Sequence, residues 1–221
     1  MTTIPLHCTE TTNAKRYYGN HPLPESTDVT LYDIPCLLAQ DCQVPSPEEW
    51  QKWGRWKRSE RATAWHFYTT DTKFVSILRD PLKLVETGAH FAVEPNVTSY
   101  DNDPLPVALA GLYRKRCVSR IWQEHGVNVF VDLNVAGITR YNCLDGVSRD
   151  HYLYATKYMV KDLNGTPCGL STLVEDYQLA ARHVKKPSNI KFLVYGGGKK
   201  VKAFAEDNGW LWIPNANNRR K

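Results

Sequence analysis

From Ala64 onward, short apolar runs bounded by turn residues alternate with longer stretches whose apolar positions recur at three and four residues. The first pattern predicts strands and the second predicts amphipathic helices. Strands are expected at 64–68, 90–94, 127–133, 189–195 and 210–213, with another inside 152–159. Helices are expected at 71–78 with Asp71 as cap, at 105–125, at 170–184 with Ser171 as cap, and at 199–207. The clearest unit runs from Leu105 to Asn134, a long helix stopped by Gly126 and followed by the apolar string Val127-Asn-Val-Phe-Val-Asp-Leu. Strands alternating with helices of this length form parallel sheets. The fold class is therefore α/β, a mostly parallel sheet flanked by helices, either Rossmann-like or an incomplete barrel. The runs 127–133 and 190–194 are apolar enough to be interior strands.

The first 60 residues follow a different pattern, with turn-rich segments such as Gly19-Asn-His-Pro-Leu-Pro and only short apolar pieces. They read as an irregular N-terminal extension (1–60) packed on the α/β domain (61–221), which ends in a basic tail. Ser46 with Glu49 three residues on, and Pro47 between them, predicts a helix start. Trp50 and Trp53 would then share a helix face. Burial is one role for these tryptophans. The other is an aromatic and basic surface, Trp53, Arg55 and Trp56, that stacks on bases.

Composition changes this picture little. The net charge of +5 is a mild bias compatible with a polyanionic partner. It is concentrated at 52–61, 114–120, 199–202 and 219–221. No apolar run reaches the roughly 20 residues that cross a bilayer, and the N-terminus lacks the layout of a secretory signal. A cytoplasmic protein with no membrane partner is expected. The six cysteines include no C-x-x-C pair, and His7, Cys8, Cys36 and Cys42 do not match the usual zinc spacing.

Three groups of residues could carry chemistry. Gly196, Gly197 and Gly198 lie between a strand and a helix that starts with Lys199 and Lys200. Backbone amides at such a turn can hold an anion. The turn matches neither the dinucleotide nor the P-loop pattern. Arg116 and Arg120, four apart on the long helix, could grip phosphate, or could pair internally with Glu94 or Asp132. Glu94 and Asp132 lie near two predicted strand ends, where converging carboxylates would suit magnesium and metal-assisted phosphodiester cleavage. Asp71, Asp101 and Asp103 read as caps and turn formers.

The segments Trp65-His-Phe-Tyr-Thr-Thr-Asp-Thr-Lys-Phe, Ala92-Val-Glu-Pro-Asn-Val-Thr-Ser-Tyr-Asp-Asn-Asp-Pro, Leu112-Tyr-Arg-Lys-Arg with Trp122-Gln-Glu-His-Gly, and Leu193-Val-Tyr-Gly-Gly-Gly together resemble a family. It is the domain of unknown function numbered four-four-one-seven, frequent in phages, plasmids and other mobile elements. The resemblance spans about 65–195. The chain departs from the family pattern at Glu94–Thr98, where the family carries an aspartate with serines, and at Asp132–Asn134, where it carries proline and tryptophan. The resemblance implies a mobile-element setting and DNA-linked work. The leading expectation is a nucleic-acid-binding protein of a phage or plasmid, acting in DNA replication or maintenance. The phosphate contacts would be Arg116, Arg120, Lys199 and Lys200. The rivals are a magnesium-dependent nuclease or phosphodiesterase using Glu94 and Asp132, a small-molecule phosphate binder seated on the Gly196–Gly198 turn, and a protein-interaction module.

Overall fold

Seven short strands follow one another in the sheet in the same order as in the chain, and every neighbouring pair is parallel. They are β1 (Trp50–Lys52), β2 (Ala64–His66), β3 (Phe91–Val93), β4 (Asn128–Asp132), β5 (Leu153–Lys157), β6 (Lys191–Tyr195) and β7 (Leu211–Ile213). This computed structural model describes residues 17–18, 21–22, 29–30, 32–54, 62–135, 137–160 and 168–215. A parallel sheet that always advances in one direction through right-handed crossovers carries all its helices on one face. The other face must cover itself, so the sheet curls into a barrel.

Contacts across the interior trace that curl. Trp50 on β1 meets Phe130 on β4 edge-to-face at 5.3 Å, and Tyr68 after β2 stacks on Tyr195 of β6 at 5.1 Å. Alternation along each strand sends Ala64, Val93, Phe130, Leu153, Ala155, Leu193 and Ile213 inward. Between the edges, β7 approaches the turn that precedes β1. No β1–β7 pairing is present among the described residues. The barrel is nearly closed, with one seam.

Among the described residues, five helices cover the outside: α1 (Val75–Arg79), α2 (Leu82–Val85), α3 (Leu105–Glu124), α4 (Leu170–His183) and α5 (Lys199–Asp207). α3 ends where Gly126 takes φ +80°, a conformation that costs a side-chain-bearing residue about 1–2 kcal/mol. Its Leu112, Val118, Ile121 and Trp122 are buried, and the Trp122 indole N–H donates to the Pro81 carbonyl at 2.9 Å. The β4–β5 crossover has no α-helix. It consists of a 3-10 turn at Gly137–Thr139 followed by further turns.

Residues 36–44 form a strap across the amino ends of the strands. The Gln40 side-chain oxygen accepts from Val129 N at 2.9 Å. Tyr152 N donates to Gln40 O at 2.9 Å, and Cys42 and Val44 pack against the interior cluster. Buried His151 bridges the Leu38 and Leu153 carbonyls, each at 3.1 Å. Burial lowers its pKa. The strap covers this end of the barrel.

Of the two architectures expected, the structure is the incomplete barrel. The region before residue 60 corrects the sequence reading. The Ser46–Glu49 capping box forms, but it starts only the single 3-10 turn Pro47–Glu49, and Trp50–Lys52 leaves it as the first strand. Trp50 therefore points into the barrel. Trp53 lies outside it against Trp65 and Phe67, at 5.3 and 5.7 Å. Pairing with β2 overrides the local helical pattern. Ser171 caps nothing, because α4 begins after Gly169.

Candidate functional site

The strands' carboxyl ends open into a cavity of about 550 Å³, at the end where barrel and open-sheet α/β proteins place their ligands. Lys52 comes from β1, Lys157 from β5, and Lys73 from the turn before α1. Thr69 and Thr70 follow β2, Asn96 follows β3 and Asn134 follows β4. Strand alternation explains the two strand lysines. Lys52 continues the inward series begun by Trp50, and Lys157 the series Leu153, Ala155. Each reaches the rim where the next inward residue would emerge from the barrel.

The walls of the mouth are held by carboxylates. Asp71 accepts from the Thr98 backbone N–H at 3.0 Å and from its hydroxyl at 2.8 Å, fixing the loop after β3. Asp101 accepts from Gly137 N, tying that loop to the one after β4. Asp103 accepts from Tyr100 N at 2.8 Å. Asp101 and Asp103 act as loop and turn anchors, as their sequence context predicts, whereas Asp71, expected as a helix cap, is the first residue of a 3-10 turn that follows Thr70, and its carboxylate accepts from Thr98. Asn96 and Asn134 meet at 2.8 Å through their side-chain amides.

Beneath the mouth lies a buried ionic network. Glu94 is 0% exposed and faces the Arg116 guanidinium at 3.1 Å. Its other oxygen accepts from Asp132 N at 3.1 Å. Lys115 reaches the Asp132 carbonyl at 2.8 Å, the Asp132 carboxylate at 3.5 Å and Glu94 at 3.8 Å. Asp132 also accepts from the Tyr68 hydroxyl at 3.0 Å and from Asn134 N at 3.1 Å. Burial pushes the Asp132 carboxyl up to about 6, against the pull of Lys115 and the Asn134 N–H. The Tyr68 hydroxyl is displaced upward by burial and by the neighbouring carboxylate.

The Asp132 displacement has a testable sign. Its folded pKa, about 6, lies above the unfolded value of about 3.9. The folded state therefore binds more protons between those values, and stability attributable to this group falls as pH rises through them. Asp132→Asn should flatten that part of the stability profile in denaturant titrations from pH 4 to 7.

This network takes up three of the residues singled out from the sequence, Glu94, Asp132 and Arg116. Arg116 is fully buried, and it also donates to the Cys143 carbonyl at 2.8 Å. Arg120 pairs with Glu124 at 3.1 Å and donates to the strap at Cys36 O, 2.8 Å. Both arginines hold elements together and offer no face to a phosphate. Glu94 and Asp132 do come together, but around Lys115, whose ammonium lies 3.8 and 3.5 Å from their carboxylates. No cluster of three metal-binding side chains is present among the described residues. Cys42 is a free thiol, while His7 and Cys8 fall outside the described residues.

The Gly196–Gly198 turn lies at the carboxyl end of β6 but does not line the cavity. The Gly196 amide donates to Ile213 O at 2.9 Å. Lys199 and Lys200 are exposed at the start of α5. Trp53 is an interior-packing residue, and Arg55 and Trp56 lie outside the described residues.

Against known families, residues 26–164 match the domain of unknown function DUF4417. The chain belongs to the DUF4417 family. The matched span contains β1–β5 and every residue that lines the mouth, and stops before α4 and the glycine turn. The part of the DUF4417 fold that the match covers thus includes the whole cavity. No curated protein matches the chain. No described helix is long and apolar enough to cross a membrane.

The mouth lysines and asparagines escape sequence reasoning because they are scattered singly over five strand ends and connections. The available signal was a polar residue ending an inward series, as in Leu153-x-Ala155-x-Lys157.

Proposed function

We propose that the protein binds nucleic acid through the barrel mouth, with Lys52, Lys73 and Lys157 as phosphate contacts. The observation that carries this reading is a cavity at the strands' carboxyl ends lined by three lysines and a single aspartate. The amide and hydroxyl groups of Asn96, Asn134, Thr69 and Thr70 add uncharged hydrogen-bonding partners for sugar and base. The strap lies across the amino end, and the mouth lies at the opposite one. In a phage or plasmid such a protein would serve DNA replication or maintenance. A mononucleotide or other small phosphorylated ligand is the second reading, favoured by a volume within the usual range for small-molecule pockets. A magnesium-dependent nuclease is not carried forward, because Lys115 and Arg116 already neutralise Glu94 and Asp132.

The test is fluorescence anisotropy of short labelled oligonucleotides across roughly 50 to 200 mM salt. Binding should weaken steeply with salt. Lys157→Ala should weaken it further and reduce the magnitude of the log–log slope by about 0.7–0.9, the loss of one phosphate contact. Lys52→Ala and Lys73→Ala should act in the same direction. Salt-independent binding, or slopes unchanged in all three variants, would overturn the proposal. Thermal stabilisation by mononucleotides at equal strength would favour the second reading.

A further inference from the structure

A second hollow, of about 650 Å³, lies where the β4–β5 crossover runs beside α4. It occupies the space that a crossover helix fills elsewhere in the barrel. Arg140 and Tyr141 line one side, and Glu175, Gln178 and Arg182 line the other. Tyr141 is 94% exposed, an unusual state for an aromatic ring held next to a groove.

The groove is built rather than incidental. Arg140 forms an ion pair with Asp176, which is 2% exposed and also accepts from the Thr156 hydroxyl. The Leu133 carbonyl lies 3.4 Å from the same guanidinium. A buried carboxylate thus fixes the direction of Arg140 and, through the chain, the position of Tyr141. The groove also adjoins the mouth. Val135 lines one hollow and Gly137 the other, and Gly137 N donates to Asp101, itself part of the mouth.

Charge separates the roles of the two hollows. The mouth has an excess of lysine. In the groove, Asp176 offsets Arg140 and Glu175 offsets Arg182, so bare phosphate gains little there. An exposed ring, together with donors and acceptors of both kinds, suits a nucleobase. Base–aromatic stacking needs a base whose face is free, which a duplex does not offer. We propose that the groove holds one unpaired nucleotide, its base stacked on Tyr141, on a single strand whose phosphates are held by the lysines of the adjoining mouth. This deepens the nucleic-acid reading and rests on it.

The experiment uses the full chain with an oligothymidylate and with a duplex of the same length. The wild type should bind the single strand more tightly. Tyr141→Ala should weaken single-strand binding roughly tenfold, the loss of one stacked base, with duplex binding unchanged. Tyr141→Phe should retain the affinity, since the ring remains. Because Tyr141 is exposed, both variants should keep the wild-type melting temperature. Photo-crosslinking of a 5-bromouracil strand should map to Tyr141. If Tyr141→Ala binds like the wild type while Lys157→Ala is weakened, the groove inference fails and the mouth reading stands. If the wild type binds no oligonucleotide, both fail together. Equal affinity for single strand and duplex would also overturn the groove inference.

Discussion

Arg116→Ala should be among the most damaging single substitutions in this protein, lowering unfolding free energy by about 3–5 kcal/mol. The guanidinium is wholly buried and faces Glu94 at 3.1 Å. Removing it leaves a buried carboxylate with only Lys115, at 3.8 Å, as its cation. It also removes the donor to the Cys143 carbonyl, which lies in the crossover that carries Tyr141. The cost comes from the stranded charge more than from the lost attraction. The double variant Arg116→Met with Glu94→Gln should therefore recover part of the stability. Denaturant unfolding of the two variants measures this directly. If Arg116 were a phosphate contact instead, Arg116→Ala would leave the unfolding midpoint in place and lower the salt slope of oligonucleotide binding.

Gly197→Ala should destabilise by about 2–4 kcal/mol, while Gly198→Ala, one residue on, should stay within roughly 0.5 kcal/mol of the wild type. Gly197 has φ +75°, and a Cβ there would lie 2.5 Å from a Val201 methyl. Val201 is buried in the core that joins α5 to the sheet, so it has little room to retreat. At Gly198 a Cβ meets nothing within 4 Å. Thermal melts of the two variants, with and without added phosphate, separate packing from ligand binding. A packing glycine gives the same difference in both conditions, whereas an anion-cradling glycine gives a larger one with phosphate present.

The glycine turn shows where sequence reading stops. A strand, three glycines and a helix start were legible in order, and all three are present. The need for glycine at 197 comes from Val201, four residues on, and depends on how tightly α5 folds back. The Arg116–Glu94 pair shows the same limit. Spacing placed Arg116 and Arg120 on one side of α3 and left phosphate and internal pairing as equal options. Only the packing of α3 on β3 and β4 distinguishes them. Most strands were legible because their apolar runs are buried on both faces. β1 was not, since three residues after a helix-start signal carry too little pattern to announce a strand.

The strap has a consequence for how the chain folds as it is made. Strand order follows chain order, so each new strand from β2 to β7 finds its neighbour already synthesised, and pairing can advance with the growing chain. Residues 36–44 behave in the opposite way. They precede every strand of the sheet in the chain, yet Gln40 finds its partners at Gln123, Val127, Asn128, Val129 and Tyr152, far later in the sequence. Until α3, β4 and β5 exist, the strap lacks these partners, and the interior that Cys42 and Val44 cover stands open. The end of the barrel opposite the mouth is thus covered by a segment that precedes the whole sheet in the chain, and only after the middle of the sheet has formed.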